Sequence, residues 1–514
     1  MTLPEDPADR VLLDEVAPDD WPAPEPPPCY DLVVVGGGTA GLVSAAIAAG
    51  LGARVALVEE ALLGGDCLNT GCVPSKALLS AAHRLHAARS LGDEAWAEGD
   101  FGGLRADFPA VMRRMRELRA AIAPHDGARR FRSLGVDVYL GRGRFTGPRF
   151  VEVELRDGTL KALCFKRAVV ATGARALVPP IPGLVEAGCL TNETVFDLDL
   201  LPQRLLVGGA GPIGAELAQA FRRFGSEVEV VALDPRPLPR EDPDAAAIVA
   251  DVLAAEGVRW TLGAGIERVE GCERDKCLHW TRKEPSGTVV DSGTARGDTI
   301  LLALGRVPNV DGLGLEDAGV RFTRRGVQVD EFLRTTNPRI FAAGDVVEGA
   351  WQFTHAADHM ARLVVRNAFF FGRGRWRALP MSWCTFTDPE VAHVGLYAHQ
   401  EDEAGCALEE LRMDLAEVDR AILEGDTVGF AKVVVERKSG KLRGATVVGS
   451  HAGELLGEVL PAVARRLPLT ALSSLVHPYP TRISVWGRLG DLANRRRLTP
   501  RTASLLRTLI RLRR

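Results

Sequence analysis

Two stretches of this chain alternate short apolar runs with Gly-rich turns and helical segments, and that pattern leaves few folds open. The first reads LVVVGGG, TAGLVSAAIAAG and RVALVEE between Leu32 and Glu60. An apolar run, a tight Gly turn, a helix and a second apolar run make a β-α-β unit. The second unit, RLLVGGAGPIGAELAQAFRRFG into EVEVVALD, begins at Arg204. Repetition of the unit predicts an α/β protein with two Rossmann-like dinucleotide-binding domains in series. At 514 residues the chain is long enough for roughly three to four domains.

The expected division starts with a Pro- and acid-rich extension, 1–28, ending in PAPEPPP and read as disordered. A first dinucleotide domain follows over 29–190, a second over 191–310, and a return to the first over 311–376. After about Met381, alternating strands with a Ser-Gly turn precede a helical run, which predicts an α+β domain over 377–490. The tail, 491–514, mixes Arg with Leu and Ile at near-helical spacing; packing on the dimer or fraying is the favoured reading, with peripheral contact of 495–514 with anionic lipid the alternative. With 46% hydrophobic residues, 25% charged residues and a net charge of −4, nothing global marks a nucleic-acid partner. The acidic start and the lack of a long apolar stretch predict a cytoplasmic protein.

Gly36, Gly38 and Gly41 form GxGxxG between strand and helix, and Glu59 closes the next strand. Glycines let a pyrophosphate approach the helix N-terminus, and the acid can accept from ribose hydroxyls. Gly209, Gly211 and Gly214 repeat the motif, but Ala232 stands where an acid would read an unphosphorylated ribose. NADPH is therefore expected over NADH, with Arg236 and Arg240 within a few residues to meet a 2′-phosphate, although Asp234 could serve NADH.

The segment GGDCLNTGCVPSK puts four residues between Cys67 and Cys72. On one regular helix their Cα atoms would stand roughly 8.6 Å apart, beyond the ~7 Å that a disulfide spans. Pro74 suits a first helical turn, so Cys67 is expected in the loop and Cys72 at the helix N-terminus, where the dipole favours a thiolate. A chance pair of buried cysteines or a metal site are the alternatives, and no nearby His or further Cys completes a metal set. Cys272 and Cys277 share the spacing without the Gly-rich loop and read as a surface coincidence.

Together these motifs resemble the class I pyridine nucleotide-disulfide oxidoreductases, over roughly residues 30–490. VVATGA with Thr172 and Gly173, LLALGRVPN with Gly305, and IFAAGDV with Asp345 are similar to that family's recurrent chain crossings. The resemblance implies FAD, NAD(P)H, a homodimer and a redox-active Cys67–Cys72 disulfide, with Asp345 at the flavin ribitol. It also implies an ion pair between Lys76 and Glu216 beside the flavin, Cys72 as the flavin-facing thiol and Cys67 as the outer one. WQFTHAADHM would bring a helix start and His355 near the flavin.

Disulfide-reducing members carry HPTxxE, whose His-Glu dyad shuttles protons. This chain reads HPYPTRIS, placing Tyr479 and Ser484 at those positions and leaving His477 as the only nearby imidazole. The expected electron acceptor is a small disulfide, another small molecule or a soft metal ion, with mercuric reductase-like chemistry favoured. Dihydrolipoyl dehydrogenase and a membrane-docked redox partner are the rival readings. The tail lacks the vicinal cysteines that deliver metal in mercuric reductases.

Overall fold

A computed structural model describes residues 6–94, 96–272, 275–378 and 380–513, with the side chain of Cys272 outside the described residues. The chain divides into two compact units, 1–235 with 256–378, and 236–255 with 379–514.

The first unit begins with helix α1 (Pro7–Val16), where Asp6 caps the start and Pro7 fills the first turn. Over the described part, 6–28, this replaces the expected disorder with a helix; residues 1–5 lie outside the described residues. Leu12 and Val16, one helical turn apart, are fully buried, and Asp9 is buried with them. Beyond the helix, Trp21 donates to the Val138 carbonyl at 2.9 Å, with the Arg132 guanidinium 3.5 Å from its ring. Proline and acid content masked an amphipathic turn with a buried carboxylate, and composition alone does not register either.

Strand β1 (Tyr30–Val35) leads through the first Gly turn into helix α2 (Thr39–Gly50) and strand β2 (Val55–Glu59). Helix α3 (Gly65–Asn69), helix α4 (Cys72–Ser90) and helix α5 (Phe108–Ile122) follow. Strands β3 (Val136–Gly147), β4 (Phe150–Leu155) and β5 (Leu160–Val170) complete the sheet with a last strand, Ile340–Ala342. β1 lies between β2 and β5, parallel to both, and β5 is parallel to Ile340–Ala342. Leu32, Val33 and Val34 are fully buried, as expected of a strand covered on both faces.

The second Gly turn belongs to a four-stranded parallel sheet ordered Thr299–Leu302, Arg204–Gly208, Glu227–Ala232, Val258–Leu262. Cys277 lies on an antiparallel hairpin strand, Asp275–Lys283.

The second unit is a five-stranded antiparallel sheet with helices Ala452–Ala464 and Ser484–Arg497. Val459, Val485, Trp486 and Leu489 are fully buried. The tail therefore starts later than residue 491: Ser484–Arg497 is part of this core, and only the helix Pro500–Leu512 lies beyond it, with no buried residue. Among the described residues no helix is long and apolar enough to cross a membrane.

Candidate active site

The two Gly-rich turns are shaped by backbone approaches that exclude a side chain. A Cβ on Gly36 would meet the Ala171 carbonyl oxygen at 2.3 Å, and one on Gly41 would meet that of Gly36 at 1.8 Å. Gly209 and Gly214 repeat the arrangement, at 2.4 Å from the Ala303 oxygen and 2.1 Å from the Gly209 oxygen. Gly38 and Gly211 occupy the N-caps of the two helices. Such turns leave helix-start amides open to an anion. Glu59 accepts from the Gly37 amide at 2.6 Å and from the Ala61 amide at 2.7 Å, so its carboxylate also shapes the turn. Burial pushes that carboxyl up, against those two amides.

The cysteine segment is pressed onto this turn. A Cβ on Gly65, at φ +56°, would lie 2.7 Å from the Gly38 Cα. Cys67 lies inside the short helix α3 rather than in a loop, which corrects the expectation. The chain breaks at Thr70 and Gly71, and Cys72 starts α4 as expected. Because the two cysteines straddle that break, the single-helix separation does not apply, and their thiols share a hydrogen bond. Both are reduced, with Cys72 exposed.

Cys72 is pulled down to about 6, first by the hydrogen bond from Cys67, then by Thr354 and by the nearby Lys76 ammonium, against the desolvation that surrounding atoms impose even though part of the residue reaches solvent. Cys67 moves the other way, as the proton-bearing partner of the pair and through burial. Thr354 Oγ stands 3.3 Å from Cys72 Sγ. Thr354, not His355, is the residue that the WQFTHAADHM segment brings to the thiol. His355 is exposed and stacks on Phe353 at 5.3 Å.

Lys76 lies one turn beyond Cys72 on α4 and donates to Glu216 at 2.7 Å. Glu216 is only 4% exposed, so this is not a solvated surface pair. Thr172 donates to the Asn309 carbonyl at 2.7 Å and Asn309 donates back to the Thr172 carbonyl at 2.9 Å, joining the two crossings. Gly173 and Gly305 flank that junction at φ +67° and +114°.

Sequence reasoning missed Arg306. Its guanidinium binds Asp66 and the Ala174 carbonyl, and its Nε lies 3.5 Å from Asp345. That Nε is buried and has no hydrogen-bond partner. Burial pushes the Asp345 carboxyl up to about 6, against the pull of Arg306. A cradle closed to any Cβ, with an orphaned donor beside a buried carboxyl, fits a dinucleotide and its polyhydroxyl chain. Asp66, inside GGDCLNTGC, was the available signal for this cluster.

In the second unit, the Arg236 guanidinium donates to the carbonyls of Leu238, Pro239 and Glu241. Tyr479 is 79% exposed and donates to Asp419 at 3.1 Å. His477 does have a carboxylate partner: Glu458, from helix Ala452–Ala464, stands 2.6 Å from its Nε2. Ser484 instead bonds the Thr481 carbonyl at 2.7 Å.

Two nucleotide turns and an activated dithiol in one fold define a dinucleotide-dependent thiol oxidoreductase. Residues 30–361 match the pyridine nucleotide-disulphide oxidoreductase family, and 381–488 match its dimerisation domain. The chain belongs to this family: it is an FAD-dependent NAD(P)H oxidoreductase, and the second match supports a homodimer. It is 35% identical over 462 residues to a mercuric reductase of Streptomyces lividans, covering 88% of this chain and 94% of that one. It is 31% identical to a dihydrolipoyl dehydrogenase of Chlamydia muridarum, covering 90% and 97%. Among solved structures, LpdA from Mycobacterium tuberculosis is similar at TM-score 0.80 and 28% identity, covering 90% and 99%. The HOCl-induced flavoprotein disulfide reductase RclA from Escherichia coli is similar at 0.77 and 27%, covering 90% and 100%.

In the reduced protein, iodoacetamide labelling of Cys72 should rise with pH through a midpoint near 6. Thr354→Val should move that midpoint upward by removing a hydrogen bond to the thiolate. Labelling that titrates near the ordinary thiol value of about 8.5 would refute the activated Cys72.

Proposed function

We propose that this enzyme uses NADPH to reduce a thiophilic metal ion held between Cys67 and Cys72, as a mercuric reductase-like flavoprotein. The observation carrying this reading is Tyr479. Its hydrogen bond to Asp419 holds the phenol above its ordinary value, so it keeps its proton at neutral pH. Thiol–disulfide exchange needs a group that takes and returns protons. A soft cation needs only thiolates, which Cys72 already approaches. One NADPH would reduce one divalent ion by two electrons, releasing NADP⁺ and a proton.

In this reading Gly36, Gly38, Gly41, Glu59, Thr172, Gly173 and Asp345 hold FAD, which supplies the two-electron relay between nicotinamide and thiols. Lys76 and Glu216 set the electrostatics at its edge. Gly209, Gly211, Gly214 and Gly305 hold the nicotinamide dinucleotide, and Ala232 supports NADPH by offering no carboxylate against a 2′-phosphate.

A disulfide acceptor is the second reading, favoured by the 2.6 Å pair of His477 and Glu458. Anaerobic NADPH oxidation with mercuric ion, lipoamide or glutathione disulfide separates the two. Metal-dependent consumption abolished in Cys67→Ser, with NADPH preferred to NADH, is the expected result. Rapid lipoamide turnover that collapses in His477→Ala would overturn it in favour of the second reading.

Peripheral lipid contact is proposed for the helix Pro500–Leu512, which exposes Leu505, Leu506, Leu509 and Ile510 beside its arginines. Co-sedimentation with anionic liposomes should fall on deleting 499–514. Equal binding by the shortened chain would remove the idea.

A further inference from the structure

We propose that Cys29 and Cys164 form a second, reversible thiol–disulfide pair, separate from the catalytic one. β1 and β5 run parallel with Tyr30 opposite Phe165, so the residues just before them are also neighbours. Adjacent strands lie about 4.8 Å apart, inside the Cα separation of about 4.4–6.8 Å that a disulfide spans. Side-chain alternation puts both sulfurs on the face opposite Tyr30 and Phe165. Both cysteines are free thiols. Each is partly exposed, so a small oxidant can reach them.

The location separates this pair from the flavin end of the sheet. Seven residues of extended chain from Cys29 to Gly36 span roughly 23 Å at about 3.3 Å per residue. Its electrons would therefore come and go through small molecules in solution. With a peroxide as oxidant, two S–H bonds break, one S–S bond forms, and the peroxide is reduced to two waters. A small dithiol reverses this by exchange, ending as a disulfide itself. Closing the bridge joins the lead-in segment to the two strands that deliver the first Gly turn and the ATGA crossing.

The test uses the full-length Cys67→Ser/Cys72→Ser protein, which silences the catalytic pair. After hydrogen peroxide, a non-reducing peptide map should show the Cys29 and Cys164 peptides joined, and native treatment with dithiothreitol should release them. The thermal midpoint should rise on oxidation, and Cys29→Ser should abolish the rise. Separate alkylation of both peptides after oxidation would overturn the proposal, and so would a bridge that resists native reduction.

From an independent observation, we infer that helix α1 positions the redox loop through Asp9 and Arg119. This rests on Cys67 and Cys72 being the redox pair. Asp9 accepts from Arg119 Nη2 at 2.6 Å, with exposures of 1% and 0%. Arg119 Nη1 donates at 2.9 Å to the carbonyl of Asn69, between the two cysteines. The same loop receives Asn192 on the Thr70 carbonyl at 3.2 Å, and the Leu63 amide donates to Val16 at the end of α1 at 3.2 Å. Arg116 stands 3.6 Å from the other Asp9 oxygen. The Asn69 carbonyl lies at the break that lets the two sulfurs meet, so the buried charge pair fixes their separation. Arg119 is a positioning residue, because it touches neither sulfur.

Asp9→Asn removes the charge with little change of shape, and Asp9→Glu keeps it. The readout is Cys67 labelling and the dithiol reduction potential, both independent of turnover. Val138→Ala, a core change on strand β3 that removes no charge, supplies the stability control. Asp9→Asn should change the Cys67 labelling rate about tenfold or more, the scale of losing one charge-assisted hydrogen bond that holds the loop. Asp9→Glu should recover most of it, while Val138→Ala at matched stability should leave it unchanged. Equal changes in Asp9→Asn and Val138→Ala would reduce α1 to a stabilising anchor. Undiminished turnover by Cys67→Ser, with the Asp9 effect on the loop intact, would instead count against the redox role of the pair.

Discussion

The redox site depends on the approach of two backbones at Gly38 and Gly65. One glycine caps the helix of the first nucleotide turn, and the other opens the short helix that carries Cys67. With a Cβ on Gly65 reaching 2.7 Å from Gly38, any side chain would push the thiols away from the turn. Everything that exchanges electrons depends on that separation. The Gly64 and Gly65 backbones, at φ +90° and +56°, make the reversal from β2 into the cysteine helix.

The thiol electrostatics follow from this placement. Starting α4 at Cys72 gives the sulfur a helix N-terminus, and the four-residue interval puts Lys76 one turn away on the same side. Lys76 is in turn held by the buried Glu216 at 2.7 Å, which keeps the cation beside the thiol. Arg306 plays the corresponding part between Asp66 and Asp345. Two cations, each tied to acids, surround a site that must tolerate changing negative charge.

Residue pattern was most informative where chemistry is local in sequence. The glycines and the start of α4 at Cys72 could be read because each is fixed by motif spacing, while the Lys76–Glu216 pair, 140 residues apart, was implied only by the family resemblance. What escaped depends on partners brought together by the fold. Glu458 reaches His477 from another helix, Arg306 crosses 240 residues to meet Asp66, and Thr354 rather than its neighbour His355 faces Cys72. The extension failed for a different reason: its prolines start and follow a helix rather than prevent one, and Asp9 is a buried ion-pair partner. An average over composition cannot distinguish a solvated acid from a paired one.

Parallel strands give the first domain two chemically different edges. At the carboxyl ends of β1 and β5, glycines and open amides receive a ligand, as open α/β sheets generally do. At the amino ends, the same register that aligns Tyr30 with Phe165 aligns Cys29 with Cys164. A shift of register by one residue would break that alignment and also turn the buried valines of β1 to the wrong face. The packing that secures the nucleotide edge thus secures the thiol pair at the other, and neither can be relaxed alone.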